Sequence, residues 1–215
     1  MRKGREASRR VVLVLIPVLA IILVLEGCGK SSTSGYHPVI SAPSQAQSAV
    51  KEESPVAPEN NPPGDIPDSQ VFIAYKPPDG VYEVKVPEGW SQSNSGSSTD
   101  FTDKLNTVSI SSASGAPAPT LERANSVEAQ ELARSEPAFR LVETSQVALP
   151  AGQAVLLEYQ KNSPANTVTG KKYRMDVLRY EFYRNGLQVN LTLESPVGAD
   201  NVDPWRTISE SFTWL

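Results

Sequence analysis

Within residues 66–215, several short runs are β-rich, and the best of them alternate apolar and polar side chains with the period of two that half-buried strands require. The clearest case flanks Asn185-Gly186. Asn-Gly supplies the two positive-φ residues of a type I′ turn, so a two-residue loop sets Phe182 opposite Val189, Tyr180 opposite Leu191 and Leu178 opposite Leu193. Glu181 then faces Asn190, and Arg179 faces Thr192, on the other side. The pair is predicted to be antiparallel, with one apolar and one polar face. Runs at 71–75, 81–86, 107–111, 140–147 and 154–161 read as further strands. Lys76-Pro77-Pro78-Asp79-Gly80 and Leu149-Pro150-Ala151-Gly152 are turn-forming connections between them.

Two segments carry helical spacing instead. Ser126 is the expected cap of a run with Val127, Ala129, Leu132 and Ala133 near one side, stopped by Pro137. Asp203 is the expected cap of a second, with Pro204 at its first position and Trp205, Ile208 and Phe212 along one face. Helices flanking a set of antiparallel strands predict an α+β fold, an antiparallel sheet sandwiched by helices.

The pattern upstream is different. Arg2, Lys3, Arg5, Arg9 and Arg10 precede an unbroken apolar run at 11–25, and Leu25-Glu26-Gly27-Cys28 follows it, the three-part arrangement of an export signal. Those last four residues resemble the cleavage site of bacterial lipoproteins. That resemblance implies a signal peptide at 1–27, acylation of Cys28 (palmitate or a similar chain) and an extracytoplasmic protein anchored to the cell membrane through its lipid. A membrane-spanning helix needs about 20 apolar residues, and this run is shorter and contains Pro17. Residues 28–65 are rich in Ser, Ala, Gln and Pro and bury too little to offset ordering entropy, so they read as a disordered tether. Residues 66–215 then form one domain of ordinary size.

Charge and composition narrow the function. The chain holds 20 Lys and Arg against 24 Asp and Glu, and without residues 1–27 the balance is 15 against 22. An acidic protein repels nucleic acid, which excludes it as a partner. Lys171, Lys172, Arg174 and Arg179 form one basic concentration, but Asp176 and Glu181 interleave with it, as on a solvated sheet face.

Val81-Tyr82-Glu83-Val84-Lys85-Val86-Pro87-Glu88-Gly89-Trp90 resembles the opening strand of the PsbP-like superfamily, which includes bacterial lipoproteins of the LpqN type. Asp203-Pro204-Trp205, Ile208 and Ser211-Phe212 resemble its closing helix, and Leu149-Pro150-Ala151-Gly152 its strand-connecting turn. The resemblance implies a mostly non-catalytic accessory protein. Some members bind metal through histidine and carboxylate, a role that does not carry over to a domain without histidine.

The chemistry available is limited. The single histidine, His37, and the single cysteine, Cys28, both precede residue 66, so His-dependent general base catalysis and His-ligated zinc have no residues in the domain. Ser48-x-x-Lys51 lies in the tether, the Asp100/Asp103 and Asp200/Asp203 pairs lack EF-hand spacing, and there is no Gly-rich phosphate loop. The expectation is therefore a protein that is not an enzyme and has no cofactor or metal. It is a binding or accessory module for an envelope protein, or alternatively a carrier with a small-ligand pocket between helix and sheet. Tyr173 and Tyr183 share the polar face of the predicted strand and are the candidate partner-binding residues.

Overall fold

The computed structural model describes residues 53–215; Cys28, the export signal and most of the expected tether lie outside them. Ten strands form two antiparallel sheets. A small sheet has the order β1-β2-β10, from β1 (Phe72–Tyr75), β2 (Tyr82–Pro87) and β10 (Thr213–Trp214). A large sheet has the order β3-β4-β5-β9-β8-β7-β6. It consists of β3 (Ser91–Ser95), β4 (Ser98–Asp103), β5 (Asn106–Ser114), β6 (Arg140–Leu149), β7 (Gly152–Asn162), β8 (Arg174–Arg184) and β9 (Leu187–Pro196).

The β8–β9 hairpin has the register that its turn demands: Phe182 pairs with Val189, Tyr180 with Leu191, Leu178 with Leu193, Glu181 with Asn190 and Arg179 with Thr192. Asn185 and Gly186 take φ of 52° and 83°. A Cβ at Gly186 would meet open space, so substitution there is a test of backbone strain alone. Gly186→Val is expected to lower stability by more than about 1 kcal/mol, since β-branched residues are poor occupants of positive φ. A denaturant midpoint equal to that of the wild type would contradict this.

Alternation gives the large sheet two faces. On one, Val108, Ile110, Leu156, Phe182, Leu191 and Leu193 pack with Val84 and Val86 of β2 and with Ile208 and Phe212. The layer covering this face is thus the small sheet together with helix α3 (Val202–Ser211), not a helix alone. On the other face, Val155, Leu157, Tyr159, Met175 and Val177 pack with Ala124 and Leu132 of the first helical segment. The fold is α+β and mostly antiparallel strand, with the expected helical layer complete on neither face.

Both helix starts differ from expectation. The first segment begins at α1 (Leu121–Arg123), runs through a π turn (Ala124–Glu128) and ends as α2 (Ala129–Ser135). Its cap is Thr120, whose hydroxyl accepts from the Arg123 N–H at 3.1 Å, and Ser126 lies inside it. The extra residue of the π turn breaks the 3.6-residue period, so the inward positions are Ala124, Glu128, Ala129 and Leu132. α3 is preceded by Asn201, not Asp203; the buried Asn201 side chain instead ties down the chain upstream, accepting from the Ile66 N–H at 2.8 Å and donating to the Gly64 carbonyl at 3.0 Å.

The body also extends upstream of the expected boundary at Ile66. Glu53 accepts from Lys172 Nζ at 2.6 Å and Asn162 Nδ2 at 2.7 Å, Glu59 pairs with Lys171, and Asp65 accepts from the Asp200 N–H at 2.9 Å. Residues 53–65, assigned to the tether on composition, are therefore an arm bonded along one end of the large sheet. Its contacts are polar, which is why hydrophobic patterning does not register it.

Candidate functional site

The helical segment 121–135 packs over β6, β7 and β8, and among the described residues the β9-β5-β4-β3 half of the same face has no apolar cover. Three cross-strand rows describe this half. From β4 to β7 they read Thr102–Thr107–Glu194–Val177–Tyr159, Asp100–Ser109–Thr192–Arg179–Leu157 and Ser98–Ser111–Asn190–Glu181–Val155. Each row begins with short hydroxyl or carboxylate side chains, passes through a charge and ends apolar beneath the helices. Asp100 accepts from Ser109 Oγ at 2.5 Å, so even this carboxylate is held within the surface.

A seam of ion pairs marks the boundary. Arg123 Nε reaches Glu128 at 2.7 Å, Arg179 Nε reaches Glu181 at 3.2 Å, and Lys161 Nζ bridges Glu194 at 2.8 Å and Glu136 at 3.2 Å. Glu181 is 1% exposed and Glu128 7%, and the Oε2 atom of each has no hydrogen-bond partner among the described residues. Burial pushes the Glu181 carboxyl up from its ordinary value; Arg179 draws it back only in part, and Glu128 adds to the rise. Glu194 is also raised, by burial first, against the pull of Lys161 and with help from Glu136 and Asp100. For Lys161 burial acts downward, but the two flanking carboxylates outweigh it, so its ammonium is held charged above its usual range.

At one end of this face lies an open cleft of about 190 Å³, lined by Tyr173, Met175, Glu194, Thr107, Lys104 and Lys171. Tyr173 is half-buried there, with Lys171 Nζ 4.6 Å from its ring centroid. Tyr183 sits on the same face, paired with Gln188. Ten residues of strand put it roughly 33 Å from Tyr173, so the two tyrosines share a face but not a patch.

The side chains of the basic concentration are paired, and one of them is buried. Lys171 and Lys172 are engaged by the arm, Arg179 by Glu181, and the buried Arg174 donates to the Ala138 carbonyl at 2.7 Å and Asn162 Oδ1 at 3.2 Å. Among the described residues, no group of three or more His, Cys, Asp or Glu side chains is placed to hold a metal ion, and no helix is long and apolar enough to cross a membrane. The seam residues Arg123, Glu128, Arg179, Glu181, Lys161 and Glu194 were not singled out as a site from the sequence. A signal for them exists in Ala154-Val155-Leu156-Leu157, a continuous apolar run that implies cover on both faces of β7, and hence a covered polar face on the adjoining β8.

No protein-family model matches the chain, and no curated protein sequence matches it. Its structure is similar to proteins of the PsbP and LpqN kind. One is the cyanobacterial PsbP (CyanoP) of Synechocystis sp. PCC 6803, at 15% identity over 71% of this chain and 98% of that one, with a TM-score of 0.49. Another is LpqN, involved in cell envelope biogenesis of Mycobacterium tuberculosis, at 16% identity over 68% and 92%, with a TM-score of 0.41. The Ran-binding protein Mog1p of Saccharomyces cerevisiae is similar at 9% identity over 67% and 95%, with a TM-score of 0.44.

Proposed function

We propose that this chain is a lipid-anchored, extracytoplasmic, non-catalytic module that captures a protein of the cell envelope on the open half of its large sheet. The observation that carries the reading is the arrangement of the three cross-strand rows: a broad hydroxyl-rich surface, edged by fixed ion pairs, with the Tyr173 ring at one end. The Tyr173 ring supplies an aromatic anchor of the kind enriched at docking faces, and the hydroxyl side chains beside it supply polar contacts of the kind found at an interface rim. The seam carboxylates are locked to Arg and Lys partners, which suits them to structure and recognition more than to proton transfer. The Tyr173 cleft, at about 190 Å³ and open, falls below the roughly 300 Å³ from which ligand pockets start, so this cleft is not the pocket that a carrier would need. Attachment would be through Cys28, with stable anchoring needing more than one acyl chain.

A photo-crosslinking residue placed at Thr192 in native cells is expected to give a discrete protein adduct that Tyr173→Ala strongly diminishes. Tyr183→Ala, at the far end of β8, serves as the comparison. Absence of an adduct, or one indifferent to Tyr173, would sink the docking face. Cys28→Ala is expected to leave an unprocessed precursor without lipid mass, and a mature wild-type protein with an unmodified Cys28 would sink the anchor.

A further inference from the structure

On the opposite face of the large sheet, a groove of about 300 Å³ runs between β6 and the first turn of α3. Its sides carry two aliphatic side chains in water, Val142 at 52% and Val202 at 63% exposure, and Leu178 and Trp205 also line it. The groove owes its form to a β-bulge. Leu141 pairs with Tyr159, so an unbroken register would set Val142 opposite Glu158; instead the register shifts between Leu141 and Glu143, Val142 is left unpaired, and Glu143 stands directly opposite Glu158. Like charges directly opposite each other across strands are destabilising, and bulges recur where a strand re-aims side chains for function.

Glu143 and Glu158 make no salt bridge among the described residues. Asp176, from the neighbouring strand, adds a third carboxylate, with one oxygen accepting from Gln160 Nε2 at 2.8 Å. Arg140 also lines the groove and makes no salt bridge among the described residues, so one arginine stands against three carboxylates there, while Arg206 is paired with Asp203 at 2.8 Å. Net negative charge and apolar surface thus meet here: carboxylates outnumber the one arginine, and Val142 and Val202 offer aliphatic walls. One kind of occupant suits both.

We infer that this groove is a second docking site, which takes a segment of a partner protein carrying an arginine or lysine flanked by aliphatic side chains. The cation neutralises the Glu143–Glu158 pair, and its neighbours cover Val142 and Val202. The Glu158 carboxyl is held above its ordinary range by burial, then by Glu143 and Asp176, as expected for a site short of positive charge. This site lies on the other face from the Tyr173 surface and stands or falls independently of it.

The test uses the full chain and fluorescein-labelled pentapeptides read by anisotropy: Gly-Leu-Arg-Leu-Gly, the same peptide with Glu for Arg, and Gly-Gly-Arg-Gly-Gly. Saturable binding of the first alone is expected, weakened at least about tenfold by Val142→Asp and by the double change Glu143→Gln with Glu158→Gln. The double variant is also expected to melt at a higher temperature than the wild type, because it removes the like-charge pair, so loss of binding cannot be traced to unfolding. No binding, equal binding of the glycine-flanked peptide, or binding indifferent to both variants would overturn the proposal. Concentration-dependent self-association abolished by Val142→Asp would overturn it in favour of a second copy of this chain.

Discussion

Replacing Phe212 with alanine is expected to cost about 3–5 kcal/mol, among the largest losses available from one side chain in this fold. Its ring stacks on Phe182 of the large sheet at 4.0 Å between centroids and on Tyr82 of the small sheet at 5.4 Å, and meets Trp214 edge-on at 5.2 Å. It is 1% exposed and immediately follows α3, so the cavity would open where both sheets and the helix meet. At about 2–4 °C per kcal/mol for a domain of this size, the melting temperature should fall by roughly 10 °C. Phe212→Leu, which keeps more of the volume, should fall less. A loss below about 1 kcal/mol for the alanine variant would show that the two sheets are held together elsewhere.

Arg179→Met should be nearly as damaging, at roughly 3 kcal/mol, because it leaves the buried Glu181 carboxylate without its guanidinium. The double variant with Glu181→Leu should recover most of that loss, since removing both charges also removes the desolvation they impose. The single variant should be sensitive to pH in a definite direction. A carboxyl whose folded-state pKa is raised binds its proton more tightly folded than unfolded, so its favourable contribution is complete below the ordinary Glu range. That contribution is lost as pH climbs through the raised folded value. The deficit of Arg179→Met should therefore be greatest at neutral pH and shrink on acidification. Equal losses in single and double variants at pH 7, measured by denaturant titration, would show that the pair does not act as a unit.

The hairpin at Asn185-Gly186 was legible down to its register because two independent constraints, turn chemistry and period-two burial, selected the same pairing. The β3–β4 hairpin was not. Ser91–Ser95 reads Ser-Gln-Ser-Asn-Ser and is exposed throughout, so no alternation marks it, and the strand exists because β4 offers it a partner. The first helix was legible as an element but not in phase, because an inserted π residue turns Glu128 inward at a position that its charge assigns to solvent. For the candidate site, patterning gave Tyr173 and Tyr183 one parity but could not show the distance between them, Tyr173 standing just before β8 and Tyr183 near its far end. The charged seam escaped because Arg179 and Glu181 look like the solvent side of a half-buried strand until the helix above them is known. The arm at 53–65 escaped for the opposite reason: it is held by hydrogen bonds and ion pairs in a stretch whose composition alone favours disorder.

The pairing of β2 with β10 has a consequence for how the chain reaches this state. Tyr82 waits for Trp214, and Thr107 of β5 waits for Glu194 of β9, so the contacts that close both sheets join residues far apart in the chain. Such topologies fold slowly, because the entropy of loop closure must be overcome before the pairing is gained. Until residue 214 has been synthesised, β2 lacks one of its two neighbours and Phe212 has no Trp214 to meet. During that interval β2 and β5 present open edges to any other chain in the same condition, and a protein that shields nascent strands would serve this sequence before its own fold can.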